Sequence, residues 1–211
     1  MKDYEALSKK HFDAQSAVYD ETDTPLYSKY PKISCGDTAK RLRGMNFGKL
    51  LDIGCGTGYL IDLLIPGHPD SEFCGLDLSP EMLKVAKKKL GDKAELTEGS
   101  ALSLPFGSDI FDVVTCIQSF HHYPDPAAAM AEAFRVTSPG GMYILSDTGC
   151  EGVMAWLENH IVLPLAKTGD YRASSKDEIA SLMQSAGFRV TVCEKIDRFI
   201  YTVIGVKPDR K

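Results

Sequence analysis

"LLDIGCGTGYL", Leu50 to Leu60, sets three glycines, Gly54, Gly56 and Gly58, directly behind a run of aliphatic residues. A strand that delivers its chain into G-x-G-x-G and then into a helix makes a tight turn, and with no Cβ in the way its backbone can approach a ligand closely. Asp52, just ahead of the turn, adds a carboxylate that a plain strand-to-helix connection does not need. In an open, mostly parallel sheet, ligand sites of this kind lie beyond the carboxyl ends of the strands.

The flanking chain fits such a sheet. From Lys49 onward, apolar runs at 50–53, 72–77, 94–98, 111–117 and 141–147 read as strands, and amphipathic stretches at 59–65, 80–90 and 126–136 read as helices. That alternation predicts a parallel sheet covered by helices on both faces. Ser79-Pro80 supplies a helix cap followed by proline at the first helical position, with Gly91 at the far end; Ser175 and Glu178 fit a capping box closed by Gly187. The final strands, 189–194 and 199–206, are separated by about four residues, which fits an antiparallel hairpin and is too short for a helical crossover. Gly140-Gly141 reads as the turn into the fifth strand. Residues 1–48 are polar, with helices expected near 3–19 and 34–44 and no strand.

Composition narrows the function. The chain has 211 residues, 44% hydrophobic and 25% charged, enough for one globular domain with a sizeable core. A formal charge of −5 gives no footprint for a polyanion. The one basic run, Lys84 with Lys87-Lys88-Lys89, is interleaved with Val85, Ala86 and Leu90 and reads as a solvated helix face, so no nucleic-acid partner is expected. "MKDYEALSKK" is charged, and "MAWLENHIVLPLA" is broken by Glu158, Asn159, His160 and Pro164. On these features no secretory leader and no membrane span are expected, and a soluble, cytoplasmic protein is. The six cysteines are scattered, with no C-x-x-C pair and no histidine at ligand spacing; reduced thiols and no metal are expected.

The glycine spacing also discriminates between ligands. A dinucleotide fingerprint is G-x-G-x-x-G, and here Tyr59 stands where its last glycine would be. A pyrophosphate has no use for Asp52, whereas the ammonium group of an amino-acid moiety does. "FCGLDLS" ends its strand at Asp77, about 20 residues past the glycines, where a carboxylate can accept both hydroxyls of a ribose. The pattern points to a nucleoside joined to an amino acid.

Four stretches, "LLDIGCGTGYL", "GLDLSPEML", "EGSALSLPFGSDIFDVVTCIQSFHHYPDP" and "RVTSPGGMYILSD", together resemble the class I S-adenosylmethionine-dependent methyltransferases, in the small-molecule branch with the ubiquinone/menaquinone-type enzymes. The likeness spans about Lys49 to Asp147. It implies a Rossmann-like α/β fold whose seven-stranded sheet runs 3-2-1-4-5-7-6 with strand 7 antiparallel. It also implies a helical cap at 1–48, a cofactor-binding core at 49–147, and an acceptor-side segment with the C-terminal hairpin at 148–211. By the resemblance, Gly54, Cys55, Gly56 and Gly58 wrap the methionine part of the cofactor. Asp77 binds the ribose, Leu78, Met82 and Ala101 lie by the adenine, and Ile117 and Gln118 contact the methionine end. Ser100 is a departure, because the family usually has an acid there.

Methyl transfer from a sulfonium is an in-line displacement that depends mainly on positioning, and a general base is needed only for a weakly acidic acceptor. Acceptor-side candidates are His121 and His122 after the fourth strand, Asp147 at the end of the fifth, and Tyr19, whose ring face can shield the sulfonium. Each also has a structural reading, as a loop-holding histidine or a packing tyrosine. Trp156, Leu157, Ile161, Val162 and Leu163 are expected either to line an acceptor pocket or to form a core helix. A small-molecule acceptor and a monomer or homodimer are expected, with S-adenosylhomocysteine as product. Two other readings compete: a protein of this fold that binds the cofactor without turnover, for which Ser100 is the only support, and an NAD-linked oxidoreductase, which Tyr59 opposes.

Overall fold

The computed structural model describes residues 2–20, 29–166 and 168–209. Residues 21–28 of the expected helical cap lie outside the described residues. Two helices, α1 (Tyr4–Gln15) and α2 (Tyr30–Leu42), precede β1 (Lys49–Ile53). There follow α3 (Tyr59–Leu64), β2 (Glu72–Asp77), α4 (Pro80–Leu90), β3 (Glu95–Glu98), β4 (Phe111–Ile117), α5 (Pro126–Val136) and β5 (Thr137–Thr148). A helical stretch, α6 (Gly152–Leu157), passes through a π turn into α7 (Leu163–Leu165), and α8 (Lys176–Ala186), β6 (Arg189–Asp197) and β7 (Ile200–Val206) complete the chain.

The sheet order is β3-β2-β1-β4-β5-β7-β6. Strands β1 to β5 pair in parallel, and β7 runs antiparallel between β5 and β6. This is the topology the resemblance implies, with the hairpin where the short connection requires it. β1 lies at the centre and is apolar on both sides: Leu50 packs in a core with Leu60, Ile61 and Ala86, Leu51 in the opposite one with Val114, Met130 and Ala133. Strand pleating sends neighbours to opposite faces, and each fully buried leucine contributes about 1.5–3 kcal/mol.

Caps form as the sequence predicts. The Ser79 Oγ accepts from the Met82 N–H, and Ser175 with Glu178 closes a capping box. Lys84, Lys87 and Lys88 lie on the outside of α4, where Lys84 pairs with Glu81 and Lys87 with Asp92, whereas Lys89 departs from the expected solvated face and turns to Asp20 and Thr57. Three further expectations change. The first helix stops at Gln15 because the chain turns there, carrying Tyr19 and Asp20 back toward the glycine loop. The second begins at Tyr30 rather than 34, with Pro31 in its first turn, where proline's fixed φ suits a helix start. Gly140 and Gly141 lie within β5, which already pairs Thr137 with Phe111 before a register shift. A Cβ on Gly141 would come 2.8 Å from the Asp112 carbonyl oxygen, so the glycine permits the irregularity.

Candidate functional site

The carboxyl ends of β1, β2 and β4 frame a cleft of about 950 Å³, its mouth included. β1 leads into the glycine turn, with Gly54 at φ +71° and Gly56 at φ +52°. A Cβ on Gly54 would stand 2.1 Å from the Ser119 Oγ, so only glycine fits there. A Cβ on Gly56 would meet no protein atom. Gly56 borders the cleft, and its N–H donates to the Asp77 Oδ2 at 2.8 Å. The other oxygen of Asp77 accepts the Ser79 N–H at 2.8 Å, tying the end of β2 to the glycine turn. Burial pushes the Asp77 carboxyl upward, against the N–H groups of Ser79, Gly56 and Leu78, which favour its charge.

Asp52 lies beneath the turn, 3% exposed, with the Thr115 hydroxyl donating to it at 2.7 Å. Burial raises its pKa from the ordinary 3.8 to about 7, opposed by the Thr115 hydrogen bond and assisted by the Asp77 charge. On the β4 side, Gln118 holds a left-handed φ of +52°, a strained conformation for a residue with a side chain. Its amide Nε2 donates to the Ser34 Oγ at 2.9 Å, and its backbone N–H to the Ser146 carbonyl at 2.8 Å.

Helix α1 covers the cleft through residues four apart, which share one face of a helix. The Ser100 Oγ donates to Glu5 at 2.5 Å, Lys9 donates to the Leu78 carbonyl at 3.2 Å and to Glu98 at 2.5 Å, and the Ser79 Oγ donates to Asp13 at 2.6 Å. Ser8 and Phe12 border the cleft from the same helix. The turn that follows is fastened by Asp20, which accepts from the Thr57 hydroxyl at 2.8 Å and from Lys89 at 2.6 Å.

A second cavity adjoins the first and shares Phe12, Tyr19, Pro31, Gln118 and His122 with it. Its remaining wall is His11, Tyr30, His121, Thr148, Thr168 and Asp170. His121 is held firmly: its Nδ1 lies 2.6 Å from the Asp147 Oδ1, and its backbone N–H donates to the other Asp147 oxygen at 2.8 Å. Burial works against charge on His121, but Asp147 and Asp170 prevail and raise its pKa to about 9. Burial and the His121 charge push His122 the other way, well below the ordinary range.

The methyltransferase-domain family matches residues 51–145. The demethylmenaquinone methyltransferase of Staphylococcus carnosus is 31% identical over 185 residues, which cover 84% of this chain and 76% of that one. This chain is a class I S-adenosylmethionine-dependent methyltransferase. The demethylmenaquinone methyltransferase of Lactococcus lactis is 33% identical over 161 residues, 74% of this chain and 60% of the relative. In the complex between the Haloferax volcanii Trm112 methyltransferase activator and a methyltransferase, one chain shares the fold with a TM-score of 0.82 at 20% identity, over 97% of this chain and 99% of that one.

Of the residues singled out in the methyltransferase sequence, Asp52, Gly54, Cys55, Gly56, Asp77, Leu78, Met82, Ser100, Ala101, Ile117 and Gln118 all border the first cleft. His122 and Tyr19 border both cavities, and His121 only the second. Gly58 does not border the cleft. It caps α3 at φ +75°, and a Cβ there would come 2.7 Å from Leu90, so it serves the packing of α3 against α4. Trp156, Leu157, Ile161 and Val162 border neither cavity and form no core helix; they are exposed, Trp156 by 55%, and Leu163 alone is buried. Trp156 instead stacks on the ring of His160, with centroids 5.1 Å apart. Among the described residues no helix is long and apolar enough to cross a membrane.

Glu5 is one of the cleft residues that sequence reasoning missed, with Ser8, Lys9 and Phe12 beside it on α1. The methyltransferase carries serine at position 100, and a carboxylate from α1 stands against that hydroxyl. The spacing of Glu5, Lys9 and Asp13 puts them on one face of a helix, and nothing in the sequence says what that face meets.

The state of Asp52 yields a pH prediction. With the folded value at about 7 and the ordinary one at 3.8, the ligand-free protein binds the extra proton between them, so this group's stabilisation is full below the ordinary value and is lost as pH rises through about 7. A ligand ammonium group requires the ionised form. The affinity for S-adenosylhomocysteine should therefore fall about tenfold from pH 8 to pH 6, and Asp52→Asn should flatten this dependence. Calorimetric titrations at both pH values check it.

Proposed function

We propose that the first cleft binds S-adenosylmethionine and that the adjoining cavity takes an oxygenated aromatic acceptor of the quinone type, in its reduced form. The observation that carries this reading is the pairing of Asp52 and Asp77 under the glycine turn, on the same cleft floor that opens toward a cavity walled by aromatic rings and three histidines. Asp52 receives the amino group of the methionine portion, Asp77 the two ribose hydroxyls, and Leu78, Met82 and Ala101 the faces of the adenine. The names of the relatives, demethylmenaquinone methyltransferases, support the acceptor class.

The bound sulfonium supplies an activated methyl group with its leaving group already charged. The protein contributes orientation and exclusion of water. Gln118 and Ile117 fix the methionine end at the junction between the two cavities. Tyr19 turns its ring to the sulfonium, a cation–π contact of about 1–2 kcal/mol when desolvated. Phe12, Tyr19 and Tyr30 wall in a flat acceptor, and His121 and His122 face its oxygens. The acceptor's proton passes to water as its nucleophilic atom bonds to the methyl carbon and the sulfur–carbon bond breaks, and His122, which burial keeps neutral, hydrogen-bonds the acceptor oxygen. Asp147 keeps His121 oriented toward the same oxygens.

The test is transfer of tritiated methyl from S-adenosylmethionine to a short-tailed reduced naphthoquinone, set beside simple amine and carboxylate acceptors. The reading expects label in the naphthoquinol alone. Transfer to the amine or the carboxylate, with none to the naphthoquinol, removes the quinone-type acceptor.

A further inference from the structure

We propose that the second cavity contains a binding site for one divalent transition-metal cation, formed by the His121 Nε2, the His122 Nδ1 and the Asp170 Oδ1. This deepens the acceptor-cavity reading and rests on it, because the site lies in the wall of that cavity. The Asp170 Oδ1 is 3.1 Å from the His122 Nδ1 and 3.6 Å from the His121 Nε2, and all three atoms lie within 4.8 Å of one another. A tetrahedral cation with bonds of about 2.1 Å requires its ligands about 3.4 Å apart. The two measured edges bracket that spacing.

A second observation points independently to a ligand. The Nδ1 of His122, in a residue only 8% exposed, is buried without a hydrogen-bond partner, its approach to Asp170 lying outside hydrogen-bonding geometry. A buried polar atom left this way costs free energy that a bound cation would remove.

The surroundings hold the three ligands as outer partners do in metal sites. The His121 Nδ1 is engaged by Asp147 at 2.6 Å, which orients the ring and leaves Nε2 as the coordinating nitrogen, the carboxylate–histidine–metal arrangement. The Thr168 hydroxyl donates to the Asp170 Oδ2, directing Oδ1 at the histidines. The backbone N–H groups of Tyr171 and Arg172 donate to the His121 carbonyl at 2.8 and 3.1 Å, so the segment bearing Asp170 is stitched to the loop bearing the histidines. Two histidines and one carboxylate are a donor set for zinc or iron(II), and three protein ligands leave further positions open toward the cavity. A cation there displaces the proton on the His121 Nε2 and holds an acceptor oxygen as its anion, stabilising the ionised acceptor from which transfer proceeds. Histidine and cysteine spacing alone does not reveal the site, because Asp170 joins it only through folding.

Equilibrium dialysis of the full chain against zinc chloride at pH 8, with elemental analysis, tests the site. One zinc per chain is expected, weakened at least tenfold in His122→Ala and in Asp170→Asn and unchanged in Cys150→Ser/Cys193→Ser. Cobalt(II) added to the wild type should give the visible absorption of a low-symmetry site, a readout that needs no variant. Substoichiometric zinc, binding lost with the cysteines, or cobalt with only the spectrum of the aqueous ion would overturn the proposal. S-adenosylhomocysteine binding by the same preparations separates the two readings, since a chain that binds this nucleoside and no zinc has lost the metal site alone.

Discussion

Asp77→Ala should bind S-adenosylhomocysteine at least about 100-fold more weakly than the wild type. The carboxylate already accepts one N–H on each oxygen, from Gly56 and from Ser79. An ionised carboxylate offers about four lone-pair sites, so two remain for the hydroxyls of a ribose. Hydrogen bonds to a charged group contribute about 1.5–3 kcal/mol each, and losing two of them exceeds the roughly 2.7 kcal/mol that corresponds to 100-fold. The alanine also releases the Gly56 N–H, loosening the glycine turn. Thermal melting makes the loss visible. With ligand at about 100 times the wild-type Kd, linkage stabilises the wild type by about 2.7 kcal/mol and a 100-fold weaker variant by only about 0.4 kcal/mol. For a chain of this size, the wild-type midpoint should rise by roughly 5–10 °C and that of the variant by about 1 °C. A cooperatively melting Asp77→Ala protein that shifts as much as the wild type would contradict the assignment.

The second large effect concerns the carboxylate that α1 brings to Ser100. Glu5 borders the cleft and accepts from the Ser100 hydroxyl at 2.5 Å, and in the proposed binding mode its second oxygen would accept from the adenine amino group. Glu5→Ala removes one hydrogen bond to a charged group and one of the contacts that hold α1 over the cleft. The expected loss is about 30-fold in affinity for S-adenosylhomocysteine, from roughly 2 kcal/mol. The informative variant is the double one. If position 100 and Glu5 serve the same atom of the ligand, Glu5→Ala/Ser100→Asp recovers affinity to within a few-fold of the wild type. Ser100→Asp alone sets two carboxylates together and weakens binding, so the two substitutions couple strongly. Calorimetric titration of the four proteins measures this coupling, and additive effects would show that Glu5 only packs the lid.

These two predictions divide along what could be read from the chain. Asp52, Gly54, Gly56 and Asp77 sit on consecutive strand and turn segments, so local spacing placed them together and the folded chain brings them to one cleft. The hairpin of β6 and β7 was legible for the same reason, since a connection of about four residues permits nothing else. Glu5 meets Ser100 across 95 residues, and nothing local to either position announces the contact. Asp170 reaches the histidines only because backbone hydrogen bonds fasten its segment to the loop after β4. The Trp156 to Val162 stretch misled in another way. Its apolar residues follow no clean helical stripe, and an apolar run without such a stripe does not tell which side, if any, faces the protein. Gly58 stands among glycines of the same motif, and only the position of Leu90 separates its packing duty from the ligand-facing duty of Gly56.

The central claim is that the glycine turn, Asp52 and Asp77 form a site for S-adenosylmethionine and its product rather than for a dinucleotide. Calorimetric titration of the wild-type chain at pH 8 with S-adenosylhomocysteine, followed by NADH on the same preparation, addresses it directly. The account predicts one site per chain for S-adenosylhomocysteine, in the micromolar range or tighter, and no heat from NADH. A folded chain that binds NADH, or that gives no heat with S-adenosylhomocysteine, would contradict it.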